Sequence, residues 1–283
     1  MLFEGFTLDT AAGQRRRTGG GGPPLLLLHG RPQTHGMWHS VAPRLVDRFS
    51  LVCPDLAPDR NEAALANGML ALMTRLGHDR FGIAGHDLGG HVACRMALEA
   101  PGRVSRLATL EIVPVPEHMN RADMAYSLSG YTSCWFGQLH PKPEAIITHA
   151  PEEWFRADDS GATPAFFHPE AVADYLRAGS RPQDVRTADD PATKQARSLL
   201  PAGSGRRLRL TCPMLVIWGS RGRIGGWYDP RRLWRECVDN VVTGGPVPAG
   251  HFLAEEAPDM VAAALRAFFS DNLPHPISQN RSA

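Results

Sequence analysis

The sequence predicts an α/β protein in which a mostly parallel sheet is flanked by helices and carries an inserted helical cap. In both halves of the chain, short apolar runs of strand length alternate with helical patterns, which favours a parallel sheet covered on both faces. The stretch between the halves is too long for an ordinary connection between strands. We therefore predict a core formed by residues 1–113 and 206–283, and a helical cap with its return linker over residues 114–205.

The first half of the predicted core alternates strands and helices. The run Arg15–Arg17 is followed by Thr18 and four glycines, and it is expected to be a solvated turn. After it we predict the strand Leu25–Leu28, a short helix from Trp38 to Leu45, the strand Leu51–Cys53, a helix from Asn61 to Leu76, the strand Phe81–Ala84 and the strand Leu107–Val113. The longer helix is amphipathic, because its leucines and a methionine recur on one side.

The second half supplies the cap and the remaining core elements. Residues 114–205 are rich in proline and aromatic residues, and their helices are expected to be short, such as Glu152–Phe155 and Pro169–Ala178. For the core we predict the strand Met214–Trp218, a helix around Pro230–Cys237, an extended segment near Val241–Val247 and a last helix, Met260–Phe269. The cap would lie over the carboxyl ends of the strands, where open α/β sheets bind ligands.

The composition argues against several classes of function. Thirty lysines and arginines balance 29 aspartates and glutamates, so neither nucleic acid nor an anionic membrane is expected as a partner. No apolar stretch reaches membrane-spanning length, and the N-terminus lacks the pattern of a signal peptide. The five cysteines have no metal-ligand spacing, so no metal site is predicted. We expect a cytoplasmic protein that acts on a small molecule, and the sequence leaves a monomer and a homodimer open.

A glycine-rich turn between a strand and a helix is the feature around which the chain is organised. Asp87 has Gly85 on one side and Gly89 and Gly90 on the other, directly after the strand Phe81–Ala84. This is the pattern of a nucleophile elbow, whose sharp turn leaves no room for neighbouring Cβ atoms and presents the central side chain above the sheet. The alternative is an ordinary turn in which Asp87 only caps the following helix.

An aspartate at the elbow favours attack on saturated carbon. The carboxylate displaces a leaving group, and a histidine-activated water then cleaves the resulting alkyl ester. His251 has the position expected of that base, after the last predicted strand and before the terminal helix. The oxyanion of the second step would be bound by the backbone N–H groups of Leu88 and Arg31.

The histidine also needs a carboxylate that orients it and stabilises its charged form. In the α/β-hydrolase order, this acid commonly follows the strand after the cap, but no carboxylate falls where it is expected there. The other location ends the strand before the cap, where Glu111 is the candidate. Glu111 could instead be a strand-end glutamate paired with an arginine. Asp229 is the reserve.

Four segments together resemble a known family. They are LLLLHGRPQTHGMWH at residues 25–39, GHDLGGHV from Gly85, LEIVP from Leu110 and AGHFLAEEAPD from Ala249. The chain resembles the fluoroacetate/haloacetate dehalogenases of the α/β-hydrolase superfamily, and the related epoxide hydrolases and haloalkane dehalogenases less closely. The resemblance implies an α/β-hydrolase fold with Asp87 as nucleophile, His251 as base and Glu111 as acid, although the family usually has aspartate at that last position.

The chain departs from this family where the substrate carboxylate is bound. Two arginines clamp that carboxylate in the family, and their positions hold Leu88 and His91 here. Without their bidentate hydrogen bonds, a neutral or larger substrate is expected rather than fluoroacetate. Arg31 stands where the family usually has phenylalanine and could supply a replacement cation.

The halide-binding residues of the cap differ as well. The family's His–Trp pair corresponds to Thr132 and Ser133, which lie between Tyr131 and Trp135. Epoxide hydrolases use two cap tyrosines to protonate the opening epoxide, and Tyr131 lies near a matching position. The candidate substrate-binding residues are therefore His91 and these four cap residues.

The leading hypothesis is a cofactor-independent, dehalogenase-like hydrolase that forms an ester on Asp87 and whose substrate is not fluoroacetate. An epoxide hydrolase would share the first and last steps. Another alternative is a non-hydrolytic enzyme of natural-product biosynthesis, in which Asp87 and His251 act as acid and base for a cyclisation or an elimination. A ligand-binding protein without turnover is least favoured, because both nucleophile and base are present.

Overall fold

The computed structural model describes residues 2–11, 14–57, 61–114, 149, 163–178 and 209–270. They contain an eight-stranded sheet with the order β1-β2-β4-β3-β5-β6-β7-β8. The strands are β1 (Thr7–Ala11), β2 (Gln14–Gly19), β3 (Pro24–Leu28), β4 (Ser50–Pro54), β5 (Phe81–His86), β6 (Val104–Leu110), β7 (Met214–Gly219) and β8 (Val242–Val247). The pairs β1–β2 and β2–β4 are antiparallel, and the other neighbours are parallel. The predicted mostly parallel sheet is confirmed.

Helices cover both faces of this sheet. They are α1 (Glu62–Arg75), α2 (Leu88–Glu99) and the helices Pro169–Ala178, Arg223–Trp227, Pro230–Arg235, Leu253–Glu256 and Pro258–Ser270. Successive leucines of β3 point to opposite faces, as the two-residue period of a strand requires. Leu26 and Leu28 pack with α1 and α2, whereas Leu25 and Leu27 share the other core with Trp38 and the C-terminal helix. Among the described residues, no helix is long and apolar enough to cross a bilayer.

The N-terminal hairpin was not predicted, and the expected solvated turn at Arg15–Arg17 is wrong. These arginines lie in β2, which pairs with both β1 and β4. Arg16 forms an ion pair with Asp9, and the Arg17 guanidinium lies 5.6 Å from the centre of the Phe3 ring. Asp9 on the neighbouring strand and the Phe3 ring thus give these charged side chains partners within a strand, where the composition alone favoured a loop.

The short helix predicted from Trp38 to Leu45 is replaced by two 3-10 helices, His35–Trp38 and Ala42–Arg44. The second residue of the second helix is Pro43, which has no backbone N–H and therefore interrupts a continuous α-helix. Thr34 caps the first by accepting a hydrogen bond from the Gly36 N–H at 3.1 Å. This segment covers one face of the sheet.

The helix Pro169–Ala178 has the predicted bounds and is anchored to the core by polar contacts. Asp174 accepts hydrogen bonds from Thr34 at 2.7 Å and from Arg15 at 2.9 Å. The buried Tyr175 donates to Glu255 at 2.9 Å. The predicted helix at 152–155 lies outside the described residues, and the division into a core (1–113, 206–283) and a cap (114–205) stays a prediction.

Gly89→Ala is expected to destabilise the fold, because a Cβ atom on Gly89 would lie 2.5 Å from the carbonyl oxygens of both Leu28 and His29. Backbone atoms of the central sheet cannot move aside easily, so the free energy of unfolding should fall by roughly 2 kcal/mol or more. Gly68→Ala is the matched control, since nothing lies within 4 Å of a Cβ atom there. In α1 it should stabilise the protein by about 0.5–1 kcal/mol. Chemical denaturation measures both values, and equal stabilities of the two variants would contradict the expectation.

Candidate active site

The predicted elbow is a sharp turn between β5 and α2. Asp87 is the single residue between these two elements, and it has φ 48° and ψ −121°. L-residues rarely adopt positive φ, so the surrounding packing must maintain this conformation. The turn is closely packed: a Cβ atom on Gly85 would lie 2.3 Å from the Gly89 carbonyl oxygen, and one on Gly30 would lie 2.6 Å from Cβ of Asp87. Glycine is therefore required at these neighbouring positions.

Two backbone N–H groups converge on the Asp87 carboxylate. The N–H of Arg31 donates to Oδ1 at 3.1 Å, and the N–H of Leu88 also hydrogen-bonds the carboxylate. Burial by itself would raise the pKa of Asp87, but His251, His86 and these two hydrogen bonds outweigh it and hold the pKa below its usual value. Asp87 is therefore an anion at neutral pH.

His251 lies beside this carboxylate. Its Nε2 is 4.0 Å from Oδ2 of Asp87, which is longer than a hydrogen bond, and the two side chains are 37% and 31% exposed. Burial lowers the pKa of His251 and Arg223 acts in the same direction, whereas Asp87 and Glu256 oppose them. The pKa of His251 is lowered overall, which favours the neutral imidazole that a general base requires.

Glu111 lies directly after β6, and its carboxylate is engaged by backbone groups. It is 2% exposed, and its φ of 54° ends the strand earlier than predicted. Burial raises the pKa of Glu111 to about 7, although Oε2 accepts a hydrogen bond from the Gly219 N–H at 2.7 Å and the Ile224 N–H donates as well. Within the described part of the chain no hydrogen bond joins Glu111 to His251, so its role as the acid stays a prediction.

The described side chains around Asp87 show no excess of positive charge. Burial lowers the pKa of the Arg31 guanidinium, while the nearby carboxylates of Asp87 and Glu62 raise it. Burial raises the pKa of Glu62 to about 7. Burial also lowers the pKa of His91 to about 4, so this side chain is neutral where the resembling family has a guanidinium. Leu88, at the other clamp position, is apolar and packs against the core under α1 and α2.

The other candidate residues are the four cap residues and the reserve acid Asp229. Tyr131, Thr132, Ser133 and Trp135 lie outside the described residues, and their proposed roles stay predictions. Asp229, the reserve acid, is an exposed helix cap that accepts a hydrogen bond from a backbone N–H of its own helix. Nothing in its contacts directs it toward His251.

Two side chains that the sequence analysis missed contact the turn around His251. His86 Nε2–H donates to the backbone carbonyl of His251 at 2.8 Å. Glu256 accepts hydrogen bonds from the N–H groups of Gly250 and Phe252, at 2.6 and 3.0 Å. Glu256 is the last residue of the helix Leu253–Glu256 and stands four residues after the N-cap Phe252, so it does not have the three-residue spacing of a capping box that could have identified it. No local signal exists for His86, because its partner is 165 residues away.

Known proteins with similar sequences include both kinds of relative that the motifs suggested. Residues 23–258 match the model of a family described as alpha/beta hydrolase fold. The chain is 34% identical over 264 residues to a fluoroacetate dehalogenase of a Burkholderia species, covering 86% of each protein. It is 28% identical over 262 residues to a soluble epoxide hydrolase of Corynebacterium sp. (strain C12), covering 86% of this chain and 88% of that protein. The structure of a proposed epoxide hydrolase from Pseudomonas aeruginosa has a TM-score of 0.83 and 32% identity, over 95% of this chain and 97% of that one.

Proposed function

Since the chain belongs to the alpha/beta hydrolase fold family, we propose that it is a hydrolase that acts at saturated carbon through an ester on Asp87. The observation that carries this proposal is the convergence of the Arg31 and Leu88 N–H groups on the Asp87 carboxylate, with His251 Nε2 4.0 Å from Oδ2. In a serine hydrolase such donors bind the carbonyl oxygen of the substrate. Here they would bind the carbonyl oxygen of the enzyme's own ester.

The first step is a displacement. Oδ2 of Asp87 forms a bond to the electrophilic carbon, and the bond from that carbon to the halide or epoxide oxygen breaks, with its electron pair leaving on that atom. The low pKa of Asp87 keeps the carboxylate ionised for this attack. The Arg31 N–H keeps Oδ1 in place and leaves Oδ2 for the substrate.

The second step is hydrolysis of the ester. Water attacks Cγ of Asp87 and gives a proton to the neutral His251, while negative charge develops on Oδ1 and is stabilised by the Arg31 and Leu88 N–H groups. The bond between Cγ and Oδ2 then breaks, and the departing alkoxide takes the proton from His251. The new carboxyl group loses its own proton to solvent, which restores the Asp87 anion.

The charges of the site favour a neutral substrate. Leu88 is apolar and His91 is neutral, so neither can form the charge-assisted bonds of the family's two arginines. Arg31 remains a cation, but Asp87 and Glu62 are both close enough to interact with it. A substrate carboxylate beside Asp87 would add a further negative charge to this site. We therefore infer neutral haloalkanes or epoxides rather than fluoroacetate.

Epoxide opening is the second candidate, and the similarity to a soluble epoxide hydrolase favours it. The same displacement by Oδ2 of Asp87 would open the ring, and the same water would cleave the ester. The two activities differ in what stabilises the leaving group. A halide needs hydrogen-bond donors, whereas an epoxide oxygen needs a proton.

A substrate panel tests this proposal. Purified protein is incubated with 1-bromobutane, styrene oxide, chloroacetate and fluoroacetate, and the release of halide and the formation of diol are measured. At least one neutral compound should be turned over, with a kcat/KM about tenfold or more above that of either haloacetate, because the two charge-assisted clamps are missing. A preference for fluoroacetate would refute the neutral substrate. Inactivity toward all haloalkanes, haloacids and epoxides would refute the hydrolytic proposal.

A further inference from the structure

The turn that carries His251 is held by the side chain of Glu256. One carboxylate oxygen of Glu256 accepts from the N–H of Gly250 at 2.6 Å, and the other accepts from the N–H of Phe252 at 3.0 Å. These are the residues on either side of His251. A single carboxylate therefore fixes the backbone before and after the base.

Glu256 is placed for this by the short helix Leu253–Glu256, which follows the turn directly. Its side chain is 10% exposed, and its carboxylate lies 3.5 Å from the exposed guanidinium of Arg221. Charge-assisted hydrogen bonds to backbone N–H groups are stronger than neutral ones, and their strength increases with burial. The Glu256 carboxylate therefore binds the backbone on its buried side, while on its exposed side the Arg221 guanidinium partly screens its charge.

A second hydrogen bond, from His86, also holds the turn that carries His251. His86 Nε2–H donates to the carbonyl oxygen of His251 at 2.8 Å, and the two rings lie 4.7 Å apart. Burial lowers the pKa of His86 to about 3, so the ring is neutral and donates through Nε2. With this contact, the backbone is held at the carbonyl of His251 and at the N–H groups of both neighbours.

We propose that Glu256 is a positioning residue for His251, which fixes the turn and supplies the negative charge that supports the imidazolium formed during ester hydrolysis. The proposal rests on the proposed function, because it needs His251 to be the base. The carboxylate of Glu111, by contrast, is hydrogen-bonded to the backbone N–H groups of Gly219 and Ile224. The acid of a catalytic triad stabilises the protonated histidine, and the negative charge of Glu256 raises the pKa of His251 in the same sense.

The sign of the effect follows from the groups that face His251. These are Asp87 on the elbow, His86 at the end of β5, Arg223 on the segment after β7 and Glu256 on the following helix. Among them Asp87 and Glu256 are the anions, and each raises the pKa of His251. Removing the charge of Glu256 should therefore lower the pKa of His251, and the acid limb of kcat should move to lower pH.

The test is the titration of His251 by NMR in Glu256→Gln, together with the kinetics of a substrate found by the panel. The amide keeps one acceptor but loses the charge and the second acceptor. We expect the pKa of His251 to fall by about 0.5 or more, and kcat to fall about tenfold with KM changed less than about threefold. The His251 resonance is identified by its loss in His251→Gln.

Asp259→Asn is the matched control. It removes one negative charge from the next helix, at a side chain that is 81% exposed and pairs with Arg44. It should leave both the pKa of His251 and kcat unchanged. An unaltered pKa of His251 in Glu256→Gln, an equal shift in Asp259→Asn or an unaltered kcat in Glu256→Gln would overturn the proposal.

A second variant keeps the test decisive if Glu256→Gln does not fold. Arg221→Met removes the cation that screens Glu256, while its backbone hydrogen bond to Ala249 remains. The charge of Glu256 should then act more strongly, and the pKa of His251 should rise. An unchanged or lower pKa would count against the role of Glu256. If no compound of the panel is turned over, the proposed function fails, and the titration still decides whether Glu256 acts on His251.

Discussion

Asp87→Asn should reduce turnover by about 10⁴-fold or more, because an amide oxygen is too weak a nucleophile to displace a halide or open an epoxide. The fold should persist, since asparagine tolerates a positive φ better than most residues and Asp87 has φ 48°. The amide can still accept hydrogen bonds from the N–H groups of Arg31 and Leu88. The loss should therefore lie in kcat, measured with the best substrate of the panel.

The matched control is Asp229→Asn, which makes the same change at an exposed helix cap and should leave kcat unaltered. Slow recovery of activity in Asp87→Asn, accompanied by a gain of one mass unit at residue 87, would indicate deamidation back to aspartate. Full activity with the asparagine intact would favour the non-hydrolytic alternative, in which no ester forms on this residue.

His251→Gln should trap the ester on Asp87. Displacement in the first step does not need the base, whereas water cannot be activated for the second step, so kcat should fall by about 10²–10⁴-fold and the adduct should accumulate. Intact mass should increase by the alkyl group of a haloalkane or by the whole mass of an epoxide. Peptide mapping should place the addition on Asp87.

His78→Gln is the control for this experiment, since that side chain lies between α1 and β5 and should affect neither the adduct nor kcat. Single turnover of the unmodified protein in H₂¹⁸O provides an independent check. The label should enter the Asp87 carboxylate, because water attacks Cγ of the ester. Label found only in the alcohol would mean that water attacks the substrate carbon directly, and the ester mechanism would be wrong.

The sequence by itself predicted those parts of the protein that depend on neighbouring residues. The run Leu25–Leu28 lies within β3, and the helix predicted from Asn61 to Leu76 is α1 with its two capping residues. The glycines around Asp87 predicted a strand-to-helix turn, and that turn forms. Strand length, helical period and the need for small residues beside a tight turn depend only on residues close together in the chain, so the sequence alone predicts them.

The tertiary structure decided what depends on residues distant in the chain. The arginines of β2 look solvated in sequence, but they lie in a strand because β1 and β4 pair with it. Glu111 directly follows β6, which ends three residues earlier than predicted, and the N–H of Gly219, 108 residues later, donates a hydrogen bond to its carboxylate. The hydrogen bond from His86 to the turn of His251 joins residues 165 apart. Hydrogen-bond partners, burial and the pKa shifts they cause arise only when the folded chain brings such segments together, so no local pattern contains them.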